Sequence, residues 1–354
     1  MEHSHNHSLL WPGVPLALGS AALFGATPPL SKLLLENVSP FMLAGLLYLG
    51  AGIGLALYRA VKRSGDAEAQ EASLRRADLP WLAAAVAMGG IVGPVLLMFG
   101  LSMISASSSA LLLNLEGLAT MAIAWLVFKE NVDRRLLFGA MAILAGAVLL
   151  TWQGQGVDFN SGAFLIAGAC LAWGIDNNLT RKISAADPTV IAMIKGLVAG
   201  VVNIGLALTL GASLPTIPLI AASAVLGLFG VGVSLVVFIL ALRHLGTART
   251  GAYFSLAPFI SAVLALLLLR EPLTYNLLIA GALMGVGLWL HLSERHAHEH
   301  RHDTLEHEHI HVHDVHHRHV HETAVTEPHS HLHRHEPIKH THPHFPDLHH
   351  RHKH

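Results

Sequence analysis

The sequence predicts an all-α integral membrane protein of ten transmembrane helices, built as two inverted five-helix repeats. Three observations predict it. The 354-residue chain is 53% hydrophobic and 13% charged, whereas a soluble domain carries about 25% charged residues. Residues 9–293 are one apolar run after another, each near the ~20 residues that a helix needs to cross ~30 Å of hydrocarbon. Lastly, the pattern of residues 100–150 recurs at 241–291, a shift of 141 positions.

In chain order, residues 1–8, MEHSHNHS, form a short polar segment with an H-x-H-x-H pattern. The spans then fall at about 11–33, 40–60, 80–101, 105–127, 135–152, 161–180, 188–211, 217–242, 247–269 and 274–293. The longest internal polar stretch, 62–79, reads as an exposed loop. The first apolar run has no basic segment before it and suits a full span, so a cleavable leader is not expected. Residues 9–153 then make the first repeat, 161–293 the second, and 294–354 a polar tail expected to be disordered.

Lys and Arg set the orientation. With the N-terminus inside, Arg59, Lys62, Arg63, Arg75, Arg76, Lys129, Arg134, Arg135, Arg181, Lys182, Arg243, Arg249 and Arg295 share the inner side, against Lys32 and Arg270 on the outer. By the positive-inside rule both termini are cytoplasmic, in a plasma or inner membrane. The single cysteine, Cys170, allows no disulfide framework within one chain. A net charge of -1 gives no indication of nucleic acid as a partner. No GxxxxGK[ST], HExxH or Ser-His-Asp pattern occurs, so neither an enzyme nor an ATP-driven pump is expected.

The repeat rests on several matches. FKENVDRRLLFGAMAILAGAVLL meets LREPLTYNLLIAGALMGVGLWL, so Lys129-Glu130 falls on Arg270-Glu271 at the ends of the fourth and ninth spans. GATPPLSKLLLENVSP (25–40) is similar to GIDNNLTRKISAADP (174–188). Five is odd, so the second copy must be inverted across the membrane, the architecture of many secondary transporters. In these features residues 11–293 resemble the EamA branch of the drug/metabolite transporter superfamily. The resemblance implies a ten-helix bundle with a central cavity and transport, mostly export, of small metabolites or toxic organic compounds. The second repeat has Pro258 in SLAPF, a proline familiar in that family. The first has Glu116-Gly117 in NLEGL instead.

Glu116 is the most costly of the intramembrane polar residues, about 3 kcal/mol or more at mid-depth, so it should face a polar cavity. It aligns with Ala257, leaving the carboxylate in one half only. Helical spacing puts Ser109, Leu112, Glu116 and Thr120 on one face. Glu116 reads either as a proton-coupling or cation-contacting group or as a structural hydrogen-bond partner. Asp176 and Lys195 lie about ten residues either side of the turn near 185–186. They therefore share a depth and should pair, as a structural tie or as a gate or substrate contact. Around them, Trp173 and Asn177 share a face. Asn177, Asn114, Tyr253 and Ser255 are candidate cavity-lining residues. Pro28-Pro29, at the place in the first span that corresponds to Asn177-Asn178, argue for a kink or break there.

The tail holds 23 of the 28 histidines. Its H-x-H runs include His296, His298, His300 and His302, then His307, His309, His311 and His313, and then His329, His331, His333 and His335. Imidazole is mostly unprotonated at pH 7 and suits Ni, Zn, Cu and Co. No fixed four-ligand spacing stands out, so several exchangeable sites are expected, and no cofactor is required. Two functions follow as expectations. One is a secondary active transporter, an exporter of a small metabolite or organic compound working by alternating access with Glu116 proton-linked. The other is a divalent transition-metal exporter whose His-rich termini capture cytosolic metal. Cargo, coupling ion and oligomeric state are not legible.

Overall fold

The computed structural model describes residues 13–63, 73–128, 134–151, 160–183, 186–245, 253–292, 297–301, 305–311, 329–335 and 339–343. Glu130 and the histidines at 296, 302 and 313 lie outside the described residues.

Among the described residues, ten helical spans make the bundle. Seven are long and apolar enough to cross a membrane on those grounds alone: Gly13–Leu34, Pro40–Lys62, Arg76–Met103, Ala106–Val127, Arg134–Thr151, Pro188–Thr209 and Ile217–Phe238. The sixth span, Ser161–Lys182, has 22 residues, but Asp176, Asn177, Asn178 and its basic end dilute its apolar character. The ninth, Ala257–Leu268, and the tenth, Tyr275–Leu292, are shorter. Exposed residues are those of a lipid-facing surface: Leu144, Leu171 and Val201 project from mid-span, and Trp81, Trp125, Trp289 and Tyr275 stand exposed near span ends, where amphipathic rings favour the membrane interface.

The packing carries the two-fold relation. The second span packs on the seventh and the fifth on the tenth. The third and fourth pack on the sixth, and the eighth and ninth on the first. Exchanging the repeats maps the first two pairings onto themselves and the third and fourth spans' pairings onto those of the eighth and ninth. Close approach uses small residues: a methyl group on Gly196 would lie 2.7 Å from the amide nitrogen of Gly52, and one on Gly287 2.6 Å from the carbonyl oxygen of Gly139. With lipid outside, such close helix contact supplies much of the association energy. The largest buried cluster, with Met42, Leu43, Met98, Leu101, Leu112 and Ile166, joins the second, third, fourth and sixth spans.

Irregularities also come in symmetric pairs. The third span is π-helical over Val86–Val92 and the eighth over Leu228–Val233. The fourth span breaks into Ala106–Leu112 and Leu115–Phe128, and a turn at Ser255-Leu256 precedes the ninth. These breaks correct one expectation. The first span runs unbroken from Gly13 to Leu34 through Pro28 and Pro29. The prolines remove two amide donors and crowd the preceding turn, and neighbouring spans hold the helix together: Pro28 and Pro29 are both buried. The Thr27 hydroxyl donates to the Leu23 carbonyl at 3.3 Å.

In the tail, four short strands occur where no ordered element is expected. β1 (Ala297–Arg301) pairs antiparallel with β4 (Lys339–Pro343), and β2 (Leu305–His311) with β3 (His329–His335). The physical reason is periodicity: H-x-H alternation repeats every two residues, which is the period of a strand as much as the spacing of a chelator.

Candidate functional site: a polar network in one half of the bundle

The network starts from the backbone. A π-helical segment frees carbonyls from the regular ladder. In the third span the freed groups are met by side chains from three neighbours. The Tyr48 hydroxyl donates to the Gly89 carbonyl at 2.8 Å and Trp173 Nε1 to the same oxygen at 3.1 Å. Asn203 Nδ2 donates to the Gly90 carbonyl at 3.1 Å. The two glycines leave room for the sixth and seventh spans: a methyl group on Gly89 would collide with Asp176, and one on Gly90 would lie 2.7 Å from the Ala199 methyl.

Beside this scaffold, Lys195 Nζ donates to both Asp176 oxygens at 2.7 Å. The Thr180 hydroxyl donates to Asp176 Oδ1 at 3.0 Å. Asp176 is buried, and its charge is matched and hydrogen-bonded, as a buried ion must be.

Glu116 sits differently. The break at Leu113-Asn114 restarts the fourth span at Leu115, so the carboxylate lies in a first helical turn, where exposed amides favour negative charge. Asn114 supports the break, its Nδ2 donating to the Leu111 carbonyl at 2.8 Å and lying 3.9 Å from Met284 Sδ. Asn177 Nδ2 donates to Glu116 Oε1 at 3.0 Å and to the Thr120 hydroxyl at 3.2 Å. Asn178 Nδ2 donates to the Thr120 carbonyl at 3.2 Å and the Gly174 carbonyl at 2.8 Å. Asn177 is exposed between buried Asp176 and Asn178. An exposed amide at this depth is costly against lipid, so Asn177 calls for polar surroundings. A methyl group on Gly117 would meet nothing within 4 Å, which gives open space beside Glu116.

One rim of the bundle is clamped. The Glu271 carboxylate accepts from the amides of Ala106 at 2.7 Å and Ser107 at 2.9 Å, capping the fourth span from the second repeat. Lys32 Nζ donates to the carbonyls of Leu101 at 2.5 Å and Ile104 at 2.8 Å, closing the end of the third. The turn between the third and fourth spans is thus held from both sides. Beyond it the fourth span changes partner: Ala106–Leu112 packs on the ninth span, whereas Leu115–Phe128 packs on the sixth. At the opposite rim Arg59 pairs with Asp187.

Of the residues expected from the sequence, Glu116, Trp173, Asp176, Asn177 and Lys195 converge. Asn114 braces the helix break, and Tyr253 packs on an apolar cluster of Val14, Ala17 and Ala241. Ser255 lies in the turn before the ninth span, and Pro258 in that span's first turn. Ser109 does not join the Glu116 face: the break intervenes, and its hydroxyl donates to the Ser105 carbonyl at 2.8 Å. Tyr48, Gly89 and Thr180 were not singled out beforehand, whereas Thr120 was placed on the Glu116 face. The Gly89-Gly90 pair inside an apolar run was the available signal.

Against known families, residues 11–152 and 160–293 each match the EamA-like transporter family. The chain belongs to the EamA-like transporter family. A relative from Methanothermobacter thermautotrophicus, described as an uncharacterized transporter, is 28% identical over 302 residues, covering 79% of this chain and 86% of its own. A solved crystal structure superposes with a TM-score of 0.57 at 20% identity, over 78% of this chain and 94% of that one, a likeness of fold. As an EamA member the chain is an integral membrane transporter of two repeats, with a small-molecule substrate and a bilayer environment.

Proposed function

We propose that this EamA member is a secondary active transporter of the plasma or inner membrane that exports a small metabolite or organic compound, with Glu116 as the proton-linked group. One observation carries the reading. Glu116, Asn177 and Thr120 form a half-exposed polar constellation at a helix break, inside a frame whose two halves can exchange roles. Many transporters that work by alternating access combine inverted repeats with a mid-depth site, and the paired packing of the repeats and the Glu116 constellation support that reading. The concentration of Lys and Arg on one side supports cytoplasmic termini. The Glu271 clamp is then on the extracytoplasmic side.

The tail is read as a cytosolic arm for divalent transition metals. The strand register supports this, because it sets His opposite His at His298–His342, His300–His340, His307–His333, His309–His331 and His311–His329, and imidazole is the ligand such ions favour. Metal as cargo has less support, since Asp176 is already neutralised by Lys195. Deleting 296–354 is expected to abolish Ni or Cu binding by the purified protein while leaving its transport intact.

The test of transport is an untargeted comparison of metabolite and metal content in cells overproducing the wild type, Glu116→Gln, or no protein. Depletion of a metabolite by the wild type alone is expected. Identical metabolite profiles in all three would overturn the reading. Loss of a metal rather than a metabolite would turn it to the metal exporter.

A further inference from the structure

The two halves share a frame and differ in the residues they place at corresponding positions. A shift of 149 puts Thr27 in the place of Asp176, Pro28 in that of Asn177 and Phe24 in that of Trp173. A shift of 141 puts Gly230 in the place of Gly89, and Ser261 in that of Thr120. The structure obeys this correspondence in its closest contacts. A side chain on Gly89 would collide with Asp176, and one on Gly230 with Thr27. So the polar constellation has a counterpart with no carboxylate, no amide and no ion pair: Ala257, Pro28 and Ser261.

Aromatic residues flank these positions in the chain, Phe24 four residues before Pro28 and Phe254 three before Ala257. Phe254 lies 5.4 Å from Phe24 and 4.9 Å from Phe238, centroid to centroid, in tilted and edge-on geometry. All three rings are half-buried. They come from the first, eighth and ninth spans, the symmetry mates of the sixth, third and fourth spans. Inversion therefore sets the aromatic group across the bundle from Glu116 at a corresponding depth. At the polar pole, Glu116 has an amide and a hydroxyl beside it, and Lys195 is occupied by both Asp176 oxygens.

We propose that the transported compound is an amphipathic organic cation, whose ammonium group meets Glu116 and whose apolar or aromatic body lies on Phe24, Phe238 and Phe254. This rests on the reading of Glu116 as the transport site. A carboxylate in a low-dielectric cavity attracts a cation strongly and rejects an anion. Aromatic faces take up the organic body, and their quadrupoles add attraction to the charge. A proton and the cation would compete for the one carboxylate, which couples export of one to entry of the other.

The experiment is equilibrium binding to the full-length protein in nanodiscs, with three matched probes: phenethylammonium, neutral 2-phenylethanol and anionic 3-phenylpropionate. Phenethylammonium is expected to bind at least tenfold tighter than either analogue. Glu116→Gln should erase that preference. Phe254→Leu and Phe24→Leu should each weaken phenethylammonium several-fold without changing its preference over the anion. Equal binding of the three probes, tighter binding of the anion, or no binding at all overturns the proposal, provided the protein is monodisperse. If binding fails while cells producing the wild type still lose a metabolite, the substrate class is wrong and the transporter reading stands. If both fail, the transporter reading falls as well.

Discussion

The carboxylate of Asp176 occupies the space that a side chain on Gly89 would need. The sixth span can press its ion pair against the third only because a glycine stands in the π-helical segment. The same fit recurs with Thr27 against Gly230 in the other half. It follows that Gly89→Ala should be among the most damaging one-methyl changes in the bundle. Overpacking costs about 1–3 kcal/mol, and displacing Asp176 from Lys195 adds to it. Thermal unfolding in detergent should drop by many degrees. Gly230→Ala should be damaging too, and Thr27→Ala should partly rescue it by removing the hydroxyl in the way. Failure of that rescue would mean that the glycine is needed for its backbone alone.

The buried Asp176–Lys195 pair gives a second prediction. Removing one partner leaves an uncompensated charge, a loss of about 3–5 kcal/mol. Asp176→Asn and Lys195→Met should each lower the melting temperature sharply. The double variant should recover most of the loss, because no charge is then left unpaired. The coupling is measured by a double-mutant cycle on purified protein. An additive result would show that the two groups are solvated separately.

Much of this was legible in the chain, and the reasons differ by feature. Span number and repeat followed from length, hydropathy and the matching Lys129-Glu130 and Arg270-Glu271 pairs. Depth counting brought Asp176 to Lys195, since a helix rises a fixed 1.5 Å per residue. Helix irregularity was read from the wrong residues. Pro28-Pro29 suggested a kink or break, and no break occurs there because buried neighbours hold that helix together, while the actual break at Leu113-Asn114 carries no proline. Tyr48 was missed because its partner is a backbone carbonyl exposed by a π-helical segment, which no side-chain pattern announces. Strand pairing in the tail was hidden behind an alternation already assigned to metal chelation.

Glu271 and Lys32 hold the turn between the third and fourth spans from opposite sides, so loosening them should open that rim. With Glu271→Ala the amides of Ala106 and Ser107 lose their acceptor, and with Lys32→Met the carbonyls of Leu101 and Ile104 lose their donor. A cysteine placed at exposed Ser102 reports on the turn, because native Cys170 is buried. Its labelling by a membrane-impermeant maleimide should rise several-fold in either variant. Unchanged labelling in both, with the protein still folded, would deny the clamp a gating role.

Next to the clamp, Arg270 holds a left-handed backbone conformation at φ 53°, the one such non-glycine residue among those described. It ends the ninth span and turns the chain so that Glu271 reaches back to Ala106. For a residue with a side chain this region costs about 1–2 kcal/mol, a cost that glycine does not bear. Arg270→Gly relieves that strain but loosens the unfolded chain, so the net gain should be at most about 1 kcal/mol. The melting temperature should hold or rise by a few degrees. Arg270→Val should lower it, because a β-branched residue tolerates this conformation worst. The two variants together separate the backbone demand from the guanidinium: if both lower stability equally, the charge is what matters at this position.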